Sequence, residues 1–418
     1  MTTTLRSRSV VEQGLGLRWQ VDADPYALGL DALVGLALRD NPRRAQLVVS
    51  RVLGKHLPVA PAAARGAGLL LARLVARALG GAVPEGGAVA EGDLVGSLPG
   101  APLVLGYCET ATALGHLVAE AFSGATYVHT TRRPEPGVAL LAGFDEEHSH
   151  AVAHALQLAD PSVLADPERV LVLVDDELTT GTTALNTVAA LHGRWPHARY
   201  VVATLLDLRT PQVRAAFAAR AQALGVRVDV VALLSGALEL PADVLDRATG
   251  LRAELAAVPP APAPVGGGGP VQVLDGAWPA GLPAGGRTGL RVGGPDVEAA
   301  LAAVAGRLAL SGGPVLVLGT EELMWAPLRL AALLPGEVLF QSTTRSPVLP
   351  ADLPGYAVRR ALAFPAPDEP GRTSRLHGLP DEPYADVVVV TDTAAPPARP
   401  LAEALRPWAT AAVHLVAL

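Results

Sequence analysis

Lysine and cysteine are almost missing from this chain of 418 residues: each occurs once, as Lys55 and Cys108. One cysteine rules out an internal disulfide framework and suits a reducing compartment. Aromatic residues make up only 4% of the sequence, so the core has to be built from Ala, Val and Leu. An excess of positive charge is also absent. The net charge of −7 gives no support for sequence-independent nucleic-acid binding, which requires a basic face. No apolar run reaches the roughly 18 to 20 residues of a membrane span, and the N-terminal MTTTLRSRSVVEQGLGLRW lacks the apolar stretch of a signal peptide. The expectation is a soluble, cytoplasmic protein without membrane or nucleic-acid partners.

What is present is a regular alternation. LVLGY (103–107), ATYVHT (125–130), RVLVLVD (169–175), YVVATLLD (200–207) and VRVDVVALL (226–234) read as strands. ATALGHLVAEAF (111–122), TALNTVAALHG (183–193) and PQVRAAFAARAQAL (211–224) read as helices. Continuous Val/Leu strands between helices imply an α/β fold, a mostly parallel sheet with helices on both faces. Residues 258–287 are dominated by Pro and Gly and read as a linker. A second α/β pattern follows over 288–418, leaving 1–97 as an N-terminal extension and 98–257 as the first core.

The two cores look like copies. VLGYCETATALGHLVA begins at Val104 and VLGTEELMWAPLRLAA at Val317; HTTRRP (129–134) is matched by STTRSP (342–347), and ERVLVLVDDELTTG (168–181) by ADVVVVTDTAAPP (385–397). We therefore expect a duplication whose second half is degenerate.

The chemistry concentrates in LVLVDDELTTGTT (171–183). The strand delivers Asp175 and Asp176 to its C-terminal edge, where open α/β sheets bind ligands. Adjacent carboxylates accept hydrogen bonds from a vicinal diol. The turn that follows leads into a helix, whose first N–H groups and positive dipole end favour phosphate, and Gly181 permits close backbone approach. A ribose 5-phosphate meets this description.

The stretch resembles the phosphoribosyl pyrophosphate (PRPP) signature of type I phosphoribosyltransferases. With NPRRAQLVVSRVLGKHLPV (41–59), the EEHSHA run (146–151) and the TTRSP of the second half, the chain resembles a bacterial subfamily that joins such a domain to a C-terminal TRSP domain. Members of that subfamily tend to be encoded near tellurium-resistance and stress-response genes. The resemblance implies transfer of 5-phosphoribosyl from PRPP to a nitrogen acceptor, nucleobase-like by default, with pyrophosphate released. Asp175 and Asp176 would hold the ribose hydroxyls, and Thr179, Thr180, Gly181, Thr182 and Thr183 the 5-phosphate. Mg²⁺ would come with PRPP and water, within reach of Asp175 and Asp176. A mobile flap would lie between Arg132 and Glu147, residues 1–97 would form a hood over the acceptor, and a homodimer is common among relatives.

Other assignments are more open. GYCETAT (106–112) lies where the pyrophosphate loop is expected, offering the N–H groups of Glu109, Thr110 and Ala111 and the Thr112 hydroxyl; the alternative is a plain capped helix start. Arg132 and Arg133 would neutralise pyrophosphate or form a solvated turn. Lys55 would contact pyrophosphate or acceptor, or stand as a surface cation. Cys108 reads as a small packed residue rather than a nucleophile. DEEHSHAVAH (145–154) admits a metal site on His150 and His154 sharing a helix face, proton transfer or acceptor contacts by His148 and His150, or a solvated helix start with Asp145 and Glu146. We adopt proton transfer or acceptor contacts for His148 and His150, and the solvated helix start for Asp145 and Glu146. In the second half TAAPP (393–397) replaces TTGTT, and prolines lack the N–H groups a phosphate cradle needs, so no PRPP is expected there. Its Glu321, Glu322, Thr343, Thr344, Arg345 and Ser346 would bind another polar ligand or cap elements. Two other readings remain: a non-catalytic PRPP or nucleotide sensor, and a metal-dependent hydrolase using the 145–154 cluster.

Overall fold

The computed structural model describes residues 9–41, 43–81, 96–144 and 154–418. Side-chain alternation along each strand sorts the first core into two layers. Val172 and Val174 join one apolar cluster with the helices Pro61–Ala78 and Thr112–Glu120, while Leu171 and Leu173 join another with Thr182–His192 and Pro211–Ala223. The sheet between these layers has seven strands, in the order Arg18–Ala23, Val228–Glu239, Tyr200–Asp207, Leu171–Leu178, Leu103–Gly106, Thr126–His129 and Leu290–Arg291. The inner five run parallel and the two edges antiparallel.

The second sheet has five parallel strands, in the order Val271–Leu274, Ala409–Ala417, Tyr384–Thr391, Val315–Gly319 and Val338–Ser342. Its last four strands repeat the order and direction of Tyr200–Asp207 through Thr126–His129 in the first sheet. The register agrees as well: Gly106 faces Val174, and Gly319 faces Val390. Asp175 and Asp176 thus correspond to Thr391 and Asp392, as the duplicated pattern suggests.

Several boundaries differ from the sequence reading. The 258–287 segment is not purely a linker, because its Val271–Leu274 forms an edge strand of the second sheet. Residues 1–97 are not only a hood: Arg18–Ala23 closes the first sheet, and Pro61–Ala78 covers one of its faces. Gly68 permits that packing, since a Cβ there would lie 2.4 Å from Leu117 Cβ. The strand expected to stop at Asp175 continues to Leu178. Leu178 is buried beside Leu191 and Phe217, and its carbonyl accepts from Leu208 N–H at 2.9 Å, which keeps the chain extended through both acids. No described helix is long and apolar enough to cross a membrane.

Candidate functional site

Asp175, Asp176 and Glu177 lie half-buried at the end of the Leu171–Leu178 strand. Asp176 N–H donates to Asp175 Oδ1 at 3.0 Å. Among the described residues no Lys or Arg is ion-paired to these three carboxylates. Burial, and then the neighbouring Asp176, push the Asp175 carboxyl well above the carboxylate range. Burial also raises Asp176, and burial with the Asp176 charge lifts Glu177 to about 7. Three consecutive acids held this way suit a bound cation or a hydroxyl-rich ligand.

The phosphate cradle follows directly. Thr179 and Thr180 are exposed, and Gly181 caps the Thr182–His192 helix with φ of 77°. Thr182 N–H donates to Thr180 Oγ1 at 3.2 Å, and the two hydroxyls are 3.1 Å apart. Thr182 and Thr183 open the helix, so its first N–H groups face the same edge as the acids. Gly181 is constrained twice over, by its positive φ and by the Phe217 ring 2.5 Å from where a Cβ would sit. Gly181→Ala should therefore lower stability by about 1 to 3 kcal/mol and weaken phosphate binding. Thermal melts with and without ribose 5-phosphate check this; an unchanged melt would contradict the strain.

Two of the three cationic side chains assigned by sequence, those of Lys55 and Arg133, are engaged by protein groups, while the Arg132 charge acts on Glu109 and Cys108 of the GYCETAT turn. Lys55 is 1% exposed and sits between the two halves. Its ammonium has three donors, and it meets three acceptors: Glu109 Oε2 at 2.8 Å, Thr343 O at 2.9 Å and Glu321 O at 3.3 Å. It has no donor left for pyrophosphate. Arg133 reaches into the second half and pairs with Asp392. Arg132 is anchored there through its backbone, its N–H donating to Glu322 Oε1 at 2.7 Å.

The GYCETAT turn is only partly available. Ala111 N–H is spent on Tyr107 O at 3.1 Å, and the buried Thr112 hydroxyl donates to Glu109 O at 3.3 Å. The Glu109 and Thr110 amides remain the candidates. Burial, the largest single effect, would raise the Glu109 carboxyl, but the charge and hydrogen bond of Lys55, the Arg132 charge and the Thr344 hydrogen bond together outweigh it and hold the group at about 2. Cys108 is buried, and burial drives its thiol up, as a packed residue requires.

His148 and His150 lie outside the described residues. His154 is not on a helix: it begins the His154–Gln157 strand, paired with Leu140–Phe144 in a hairpin where the flap was expected. Its Nδ1 lies 2.9 Å from Thr130 Oγ1. The shared helix face behind the metal reading is therefore lost, and no group of metal-ligating side chains occurs among the described residues.

Sequence reasoning missed two groups of residues. Arg39 and Arg44, flanking the turn between Val34–Leu38 and Gln46–Ser50, direct their charges at the acids, Arg39 at Asp176 and both at Glu177. The signal was RDNPRR (39–44) between two apolar runs. The second group ties the halves together. Thr344 Oγ1 and Arg345 N–H donate to Glu109 Oε2 at 2.9 and 3.3 Å, while Thr131 Oγ1 and Arg132 N–H donate to Glu322 at 2.6 and 2.7 Å. Glu321, Glu322, Thr344 and Arg345 are thus engaged in protein contacts. In the second crevice Arg287 and Arg133 both hold Asp392, and Pro396 and Pro397 stand at the start of the Ala395–Ala404 helix.

Residues 33–237 match the family model for phosphoribosyl transferases, and residues 284–405 match that of the TRSP domain found C-terminal to it. Among solved structures, adenine phosphoribosyl transferase from Trypanosoma brucei in complex with AMP, pyrophosphate and ribose-5-phosphate aligns at 17% identity with a TM-score of 0.24. The alignment covers 32% of this chain and 55% of that one, so the chain spans about half the length of that protein. No curated protein matches the chain.

Proposed function

The chain joins a phosphoribosyl transferase family domain to a C-terminal TRSP domain, and from that premise we propose that it moves the 5-phosphoribosyl group of PRPP to a nitrogen acceptor, releasing pyrophosphate. The observation that carries this reading is the continuous edge from Asp175 to Thr183, where carboxylates raised by burial, with no ion-paired Lys or Arg among the described residues, meet a helix N-terminus. Asp175 and Asp176 accept the ribose hydroxyls. Thr179, Thr180, Gly181, Thr182 and Thr183 hold the 5-phosphate. The Glu109 and Thr110 amides take the pyrophosphate. No covalent nucleophile is needed, since positioning and charge stabilisation carry the step.

The acids fit a divalent cation, because burial raises all three and the charges of Arg39 and Arg44 offset this only in part. Mg²⁺ entering with PRPP would neutralise the leaving group. The Leu140–Phe144/His154–Gln157 hairpin serves as the flap that excludes water, with His148 and His150 contacting the acceptor or moving its proton. The acceptor is nucleobase-like, within a stress- or tellurium-resistance-linked pathway; both points rest on the resemblance.

One observation favours the sensor alternative. Two cations expected on pyrophosphate are engaged by protein groups, Lys55 by Glu109 and two carbonyls of the second half and Arg133 by Asp392, as a protein that binds PRPP without turning it over would tolerate. The test is pyrophosphate release from Mg²⁺–PRPP with a panel of nucleobases and cell extract as acceptors, alongside calorimetric binding of PRPP. Acceptor-dependent release supports transfer. Tight binding without release in any extract supports the sensor. No PRPP binding would remove both.

A further inference from the structure

The contacts joining the halves are reciprocal. The same spacing of 213 positions separates Glu109 from Glu322, Thr131 from Thr344 and Arg132 from Arg345. In each direction a glutamate after one copy's first strand accepts from the threonine hydroxyl and the next N–H of the other copy's Thr-Thr-Arg turn. The helices behind these turns, Thr112–Glu120 and Trp325–Leu333, start at the same spacing and pack together: Trp325 stacks on His116 at 3.8 Å and donates from Nε1 to Glu120 Oε1 at 2.5 Å. This is the self-complementary pattern of a two-fold dimer, enclosed in one chain.

The clasp has different consequences at its two ends. At Glu322 it closes a crevice that has lost its phosphate cradle. At Glu109 it grips the turn whose amides are the candidates for pyrophosphate. Three donors converge on Glu109 Oε2, from Lys55, Thr344 and Arg345. The carboxylate is 7% exposed, and water cannot replace a lost partner there cheaply. From the other side, Thr130 Oγ1 accepts from Cys108 N–H at 3.0 Å. The turn is held at both ends, and one of the holds belongs to the second half.

We infer that the C-terminal domain is a built-in partner subunit whose Thr344-Arg345 turn positions the Glu109–Thr110 amides for pyrophosphate. Thr344 is a positioning residue: it touches Glu109 and not the substrate. The inference rests on the phosphoribosyl reading for its ligand, but the contact it describes can be examined without any ligand.

The experiment compares wild type with Thr344→Val, which removes the hydroxyl and keeps the shape, and with Thr344→Ser, which restores it. Mg²⁺–pyrophosphate and ribose 5-phosphate are titrated separately, and backbone amide exchange is followed over residues 107–112. Thr344→Val should bind Mg²⁺–pyrophosphate about tenfold more weakly, bind ribose 5-phosphate unchanged, and exchange faster over 107–112. Thr344→Ser should recover both. Glu109→Asp keeps a charge for Lys55 but withdraws the carboxylate by one methylene; it should shift the same way and serves if Thr344→Val does not fold. Arg329→Ala loosens the same helix interface through its contacts with Glu120 and Glu298 and should leave pyrophosphate binding intact. Equal weakening by Arg329→Ala, or unchanged exchange in Thr344→Val and Glu109→Asp, overturns the inference. If wild type binds neither ligand, the phosphoribosyl reading falls, and the exchange data alone decide the clasp.

Discussion

Asp175→Asn/Asp176→Asn is expected to abolish PRPP-dependent chemistry while making the unliganded protein more stable. Each carboxylate forms charge-assisted hydrogen bonds to the ribose in the proposed complex, worth about 1.5 to 3 kcal/mol each. Together they amount to a factor of roughly 10² to 10⁴ in kcat/KM. Without ligand the same groups are a liability. Burial raises Asp175, Asp176 and Glu177, and the Asp176 charge adds to it at Asp175 and at Glu177, which reaches about 7. A carboxyl raised in the folded state binds more protons there than in the unfolded chain. Stability therefore falls as pH rises from the unfolded pKa to the folded one, and the loss is complete above it. For Glu177 that window runs from 4.5 to about 7. Thermal melts between about pH 5 and 8 should show wild type losing stability through this range and the double variant losing less. A double variant that melts lower than wild type at the alkaline end would contradict this account. One that retains turnover would remove the acids from the site.

The second large effect concerns Lys55. Lys55→Met should destabilise the protein by about 3 to 5 kcal/mol, because it leaves Glu109 charged and buried with only the more distant Arg345 guanidinium, whose Nε lies 3.4 Å from Oε1. Adding Glu109→Gln should recover much of that loss, since the remaining amide carries no charge. Chemical denaturation of the two single variants and the double variant forms a cycle, and additive losses would show that the pair is not coupled. A surface lysine, one of the alternatives the sequence left open, would change stability by less than about 0.5 kcal/mol. Glu109 at about 2 adds a pH signature of opposite sign to Glu177. Its contribution is present above its unfolded pKa of 4.5 and is lost only as pH falls towards about 2.

The legible parts of this molecule were local. Strand and helix periods are written in LVLVDDELTTGTT and its neighbours, and the duplicated motifs survive because their spacing is fixed by the strand–helix unit. The carboxylate edge and the glycine turn could be read because a single segment supplies them. Lys55, Glu109 and Arg133 could not be placed in the same way. Lys55 and Glu109 pair across 54 positions and take their other partners, like Arg133, from the second half, and nothing in SRVLGKHLP or HTTRRP distinguishes a ligand for pyrophosphate from a ligand for a buried carboxylate. Val271–Leu274 was hidden for a different reason. Four residues between Pro270 and Asp275 are too few to show a period, and only the Ala409–Ala417 strand beside them makes them a strand.

The reciprocal clasp between Glu109 and Glu322 has one more consequence. In a dimer such a surface would open on dilution, and its loops would be held only while the subunits were concentrated enough to meet. Tethering on one chain replaces that concentration with a fixed local one, so occupancy of the clasp does not depend on how much protein is present. The same tether also consumes the self-complementary face. Any homodimer of this chain has to be built on a different surface.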